Sequence, residues 1–220
     1  MAIKSIIGAT CACLSIISFS ASAAMISGQG TWETTLQGRD LDGNTSTFEA
    51  YYDVTKNITW LADAAVSGAS YYLNFNVSGG SNLDLNISGV TGWRIPSSDS
   101  SCLGSNGYRD NCTNGEMGNL YYNVLGNTAG SLSNTGPFSN VQSDTYWASS
   151  RKSTDPLQKL IFNMGNGRLA SEKFTYSGNR NYVWAVHDGD VGASVVPIPS
   201  AVWLFGSGLI GLIGFARRKA

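Results

Sequence analysis

Charge is scarce in this chain and histidine almost missing. Only 13% of the 220 residues are charged, and His187 is the single histidine. A zinc or copper centre built on several imidazoles is therefore excluded by composition. Basic side chains are also too few and too scattered for a nucleic-acid groove, which must neutralise successive phosphates. With the terminal Lys4, Arg217, Arg218 and Lys219 set aside, ten basic residues face fifteen acidic ones, a balance of about −5. There is no Gly-x-Ser-x-Gly nucleophile elbow and no internal repeat period. What fills the space instead is Gly (26 residues) with frequent Asn, Ser and Thr, a surface hydrated by neutral hydrogen-bonding groups.

The two ends read as targeting segments around one folding unit, residues 24–195, of ordinary single-domain size. In residues 1–23, Lys4 is followed by a largely apolar run, Ile6 to Phe19, and then by Ala21-Ser22-Ala23. A positive front, an apolar middle and small residues at Ala21 and Ala23 form a secretory leader with a signal-peptidase site. Cys11 and Cys13 fall inside that leader, leaving Cys102 and Cys112 in the exported part. Two cysteines ten positions apart in an exported chain predict one disulfide, with a metal pair as the rival reading.

The last 25 residues, 196–220, have three parts. Pro197 and Pro199 keep the chain extended and open to a protease. Residues 201–216 carry no charge and would span about 24 Å as a helix, short of a hydrocarbon core of about 30 Å. Arg217-Arg218-Lys219 would stay on the cytoplasmic side. Val196, Pro197, Pro199, Ala201, Trp203, Leu204, Phe205, Gly206, Ser207 and Gly208, closed by Arg217 and Arg218, resemble the PEP-CTERM sorting signals. Ile198 stands where those signals usually have glutamate. The resemblance implies processing by exosortase, a membrane-embedded cysteine protease, in bacteria that make extracellular polysaccharide. A plain C-terminal transmembrane anchor shares the topology and differs in being retained.

Within the folding unit, Trp32–Gln37 and Phe48–Val54 are strand-like runs flanking Asp40-Leu41-Asp42-Gly43-Asn44. This segment is read as a turn rather than a calcium loop, because the EF-hand glycine and the glutamate at position twelve are missing. Asn57–Leu61 continues as a short strand, and Gly92-Trp93-Arg94-Ile95-Pro96 ends another at a proline that cannot donate to a ladder. Residues 67–88 are rich in Gly, Ser and Asn, with Tyr71, Tyr72, Leu73 and Phe75 as the main apolar cluster, and are read as irregular with at most one strand. Thr113 and Glu116 have capping-box spacing, so a helix is predicted over residues 114–125. Its buried face is Met117, Leu120, Tyr121, Val124 and Leu125, and Gly126 its left-handed cap. Thr145–Ser149, Leu160–Met164 and Tyr182–His187 are β-rich, with Asn166-Gly167 a hairpin turn into a strand starting at Arg168.

Tyr51-Tyr52-Asp53 with Ile58-Thr59-Trp60-Leu61, Gly92 to Pro96, Glu116 to Tyr122, Tyr146 to Ser150 and Trp184-Ala185-Val186 stand in an order that resembles the Lcl C-terminal-domain family. That resemblance runs over about residues 41–191 and implies an α+β, C-type-lectin-like single domain: a twisted, mostly antiparallel sheet, one or two helices and long loops. It also implies association with surface polysaccharide. No catalytic residue carries over, and the calcium-binding tripeptides Glu-Pro-Asn and Trp-Asn-Asp of true C-type lectins are absent.

The expectation is an exported, non-catalytic surface or matrix protein with no cofactor and no metal, whose partners are signal peptidase, exosortase, transiently the inner membrane, and exopolysaccharide. An enzyme of formylglycine-generating or hydrolase type, or a purely structural surface protein, is the alternative. His187 beside Asp188 reads as a strand end rather than a general base, since no nucleophile motif accompanies it. Trp60, Trp93, Trp147 and Trp184 sit in strand motifs and are expected in the core. Tyr71, Tyr72 and Tyr108 lie in Gly- and Asn-rich loops and are the candidates for a ligand-binding face, with Arg109 and Asp110 as a solvated pair.

Overall fold

The computed structural model describes residues 30–66, 82–173 and 181–192. The expected signal-peptidase site at Ala21 and Ala23, the sorting residues from Val196 to Arg218, and Tyr71 and Tyr72 lie outside them. Among the described residues no helix is long and apolar enough to cross a membrane.

The fold is α+β and mostly antiparallel, with two four-stranded sheets among the described residues. In the first, β1 (Leu36–Arg39), β2 (Ala50–Asp53), β3 (Ile58–Leu61) and β8 (Val186–Asp188) lie in that order. In the second, the order is β4 (Tyr108–Arg109), β7 (Arg168–Lys173), β6 (Asp155–Asn163) and β5 (Thr145–Lys152). The β6–β7 turn falls at the expected place but runs over four residues, 164–167, and of Asn166 and Gly167 only Gly167, at φ 76°, takes the left-handed conformation. Strand β8 is shorter than the expected Tyr182–His187 run. Tyr182 makes only an isolated parallel bridge to Tyr146, and residues 183–185 are buried without belonging to a strand.

Three expectations need correction. Trp32–Gln37 is not one strand. Trp32–Thr35 forms a single helical turn, α1, and only then does β1 begin. The cause is Thr31, whose carbonyl accepts from the amides and hydroxyls of both Thr34 and Thr35. Gly92–Pro96 is likewise not a strand. Arg94 makes isolated bridges to Asn82 and Val186, while Gly92 at φ 87° turns the chain into that position.

The third correction concerns the helix. It is α-helical over Glu116–Gly118 (α2), and its continuation Asn119–Val124 is π-helical, with Leu125 N donating to Leu120 O. Gly115 occupies the N-cap and no side chain caps the helix, so the Thr113–Glu116 capping box does not form. The predicted buried face nevertheless stands: Met117, Leu120, Tyr121, Val124 and Leu125 are all buried. The wide turn places the adjacent Tyr121 and Tyr122 side by side. Tyr121 donates to the carbonyls of Thr128 and Ser131, and Tyr122 to that of Gly167.

That helical face and the inner face of the second sheet (Tyr146, Ala148, Leu160, Phe162, Met164, Leu169) enclose one core with Ile58, Trp60, Trp184 and Val186 from the first sheet's side. Trp60 meets Trp184 edge to face at 5.2 Å, and Trp184 Nε1 donates to the Leu61 carbonyl at 2.9 Å. Trp93 and Ala185 anchor a second cluster, and Ile95, Trp147 and Val183 a third. All four framework tryptophans are buried, each contributing about 2–3 kcal/mol of apolar burial.

Candidate functional site

The disulfide predicted from spacing joins Cys102 to Cys112, with S–S 2.05 Å. It tethers both ends of a loop whose middle strand, β4, pairs with β7 at Ala170 and Leu169. The loop enters through a 3-10 turn, Ser100–Cys102, capped by Asp99, whose Oδ1 accepts from Ser101 N at 2.9 Å and Ser101 Oγ at 2.6 Å. The Ser101 hydroxyl foremost holds the Asp99 carboxyl below its ordinary value. Gly107 N then donates to Gly104 O, and Gly107 at φ 84° turns the chain into β4.

This construction presents Tyr108, a residue 46% exposed. The Arg168 guanidinium lies over it at 4.9 Å from the ring centre and is held there by Asp110, with Nε donating to Oδ1 at 3.0 Å. Asp110 thus pairs with Arg168 on β7 and not with Arg109, correcting the expected pair. Tyr122 supports the loop from beneath. Its hydroxyl accepts from Asn111 N at 3.0 Å and donates to Gly167 O at 2.7 Å, and burial raises its pKa above the ordinary phenol value. Beside the loop lies a groove of about 270 Å³ lined by Ser100, Leu103, Gly104, Ser105, Lys152, Ser153 and Thr154. An exposed aromatic face, a fixed charged pair and a rim of hydroxyls are groups that hold a sugar ring: apolar area for its C–H face, donors and acceptors for its hydroxyls.

No protein family, curated protein or solved structure matches this chain.

Two other polar constellations were invisible in the sequence or misread from it. Glu116, freed from a capping role, accepts from Arg94 through both carboxylate oxygens, Nη2–Oε1 at 2.7 Å and Nη1–Oε2 at 2.9 Å, and from Ser97 N at 2.7 Å. Arg94 also reaches Asp188 Oδ1, from Nη2 at 2.6 Å and Nε at 3.0 Å. These bonds raise the Arg94 pKa, Glu116 first, and hold the Asp188 carboxyl down. Arg94 therefore clamps the helix start to β8.

His187 sits next to this clamp. Its Nδ1 lies 2.6 Å from the Asp188 carbonyl, which fixes the proton on Nδ1, and its ring meets Trp93 edge-on at 5.8 Å. The strand-end reading of His187 fits this placement, because its position is set by β8 pairing with Thr59 and no nucleophile is bonded to it among the described residues.

The third constellation is Asp40, Asp42 and Glu49, whose carboxylates lie within 4.8 Å of one another. Glu49 stands at position ten counted from Asp40, not twelve, and reaches the turn because β2 runs back alongside β1. Each carboxylate is engaged in shaping the turn: Asp40 accepts from Gly43 N, Asp42 from Asn44 N, and Glu49 from Leu41 N and Thr47 Oγ1. The turn reading accounts for all three.

Proposed function

We propose that this chain is an exported, exosortase-sorted cell-surface or matrix protein. Its non-catalytic, C-type-lectin-like domain associates with exopolysaccharide through the disulfide-tethered loop. The observation that carries this reading is Tyr108, a half-exposed aromatic residue with Arg168 and Asp110 beside it, on the same tethered loop whose Ser100, Leu103, Gly104 and Ser105 line the hydroxyl-bearing groove. The segments at 1–23 and 196–220 support export and C-terminal trimming. The pairing of Cys102 with Cys112 favours this reading over a formylglycine-type enzyme, which needs reactive thiols.

The test has two arms. Mass spectrometry of the secreted protein is expected to find termini after Ala23 and near Pro199. On a glycan array, the mature protein is expected to retain polysaccharide ligands without turning them over. Intact ends recovered from cytosol, or an array with no retained glycan, would overturn the reading.

A further inference from the structure

Four asparagines among the described residues open an Asn-x-Ser/Thr triplet: Asn44, Asn57, Asn86 and Asn111. In a chain that crosses a membrane for export, this triplet is the acceptor for N-linked glycan, because the hydroxyl two positions on can act on the asparagine carboxamide. Local structure separates the four. Asn57 accepts from the Tyr52 hydroxyl at 2.9 Å, and the Thr59 hydroxyl is buried, donating to the Gly189 carbonyl at 2.7 Å. Asn111 precedes Cys112, which is buried and fixed in the disulfide. Asn86 is exposed, but its Oδ1 accepts from Gly89 N at 2.8 Å, closing a turn in which Ser88 has φ 51°. Asn44 differs from all three. Residues 42–48 are exposed throughout. Asn44 Oδ1 accepts from the Ser46 amide at 3.3 Å and from the Ser46 hydroxyl at 2.5 Å, while Nδ2 makes no hydrogen bond among the described residues. Asp42 Oδ1 accepts from Asn44 N at 2.8 Å, which fixes the asparagine's backbone.

We propose that Asn44 is a glycan acceptor, whose Nδ2 receives an oligosaccharide from a polyprenyl-diphosphate donor through a membrane oligosaccharyltransferase. The inference rests on the export reading above and goes beyond it. The Ser46 hydroxyl and amide both donate to Oδ1, which favours charge on that oxygen and makes an Nδ2 proton easier to remove. The step balances with that donor alone. Nδ2 gives one proton to a carboxylate base of the transferase, and its electron pair attacks the anomeric carbon of the sugar. The C–N bond forms as the C–O bond to the diphosphate breaks, and the lipid diphosphate leaves with that electron pair. Nothing is oxidised or reduced. Asp42, exposed and two residues before the acceptor, offers a carboxylate by which a cationic patch of the transferase grips the turn. The glycan would leave the turn between β1 and β2 into solvent and displace no contact, since Nδ2 has none to lose among the described residues.

The experiment is tryptic peptide mapping by mass spectrometry of the full chain expressed in the cells that make it, with fragment spectra read for sugar ions. Cleavage after Arg39 and Lys56 isolates residues 40–56, in which Asn44 opens the single acceptor triplet, and Asn57 and Asn86 fall in the next peptide. The expected result is a glycan mass added to the peptide 40–56 of the secreted protein. Asn44→Gln and Ser46→Ala should return that peptide to its bare mass, and Ser46→Thr, which restores a hydroxyl, should carry the glycan again. These positions are exposed, and near-UV circular dichroism checks that each variant folds. A bare peptide 40–56 from protein whose leader has been removed would overturn the proposal and leave the export reading standing. Protein kept in the cytosol with its leader would overturn both. Glycan on Asn57 or Asn86 with none on Asn44 also counts against it. So does a glycan on 40–56 that persists in Ser46→Ala, which belongs to O-linked sugar on a hydroxyl such as that of Thr45 or Thr47. Should a variant fail to fold, the wild-type peptide decides alone.

Discussion

Replacing Arg94 by methionine should show how much of this fold hangs on one guanidinium. Methionine keeps most of the aliphatic stem and its packing but removes the donors that Glu116 and Asp188 accept from. The Arg94 and Glu116 side chains are 17% and 14% exposed, so solvent cannot fully take the place of the lost partner. Glu116 would keep only Ser97 N as a donor among the described residues. Removing one member of a buried pair costs about 3–5 kcal/mol, and partial exposure argues for the lower end, about 3 kcal/mol. The Asp188 side chain is 77% exposed and adds little. For a domain of this size, about 3 kcal/mol corresponds to a fall in Tm of about 6–12 °C. The assay is thermal and urea unfolding followed by tryptophan fluorescence, with Trp93 adjacent to the altered residue. A loss below about 1 kcal/mol would refute the reasoning and reduce the clamp to an ordinary surface ion pair.

Further outcomes are expected at other positions. The Cys102→Ser, Cys112→Ser double variant should lose about 2–3 kcal/mol in urea unfolding, since the closed loop is short. Gly118→Ala places a Cβ 1.7 Å from the Cys112 carbonyl oxygen, and the backbone shift that follows should cost about 1–3 kcal/mol by the same assay. Acid should destabilise the fold in a defined window. Asp99, hydrogen-bonded by Ser101, and Asp188, by Arg94, both have folded pKa values below their ordinary ones. The folded state therefore binds fewer protons than the unfolded chain. The stability these two groups supply is complete above about pH 4 and lost as pH falls through their depressed values, read as Tm against pH. Arg94→Met should remove the Asp188 part of that dependence.

Features fixed by neighbours in sequence were legible. The hairpin was legible in place at Asn166-Gly167, although its turn runs over residues 164–167 and only Gly167 of the pair has positive φ, and the Cys102–Cys112 link spans a short loop. The buried face of the helix was readable because five apolar residues recur at helical spacing, even though part of that helix turned out to be π-helical. What failed was local chemistry overridden by distant partners. Glu116 fits a capping box on paper, yet Arg94, 22 positions earlier, holds its carboxylate. Asp110 was matched to its neighbour Arg109, whereas β4–β7 pairing delivers Arg168 instead. Tyr108 was legible as a loop aromatic. The groove on the same loop was not, because residues 152–154 reach it only through the fold of the second sheet. The burial of Lys159 and Asn181 gave no sequence signal, since it depends on which face of the sheet is covered.

The central claim, that the tethered loop holds polysaccharide, is tested most directly by affinity electrophoresis in gels cast with exopolysaccharide. The folded mature protein should be retarded, and Tyr108→Ala, with Tm within about 1 °C of the parent because the residue is half-exposed, should migrate as in a gel without polysaccharide. Equal retardation of both proteins, or of neither, would contradict the account.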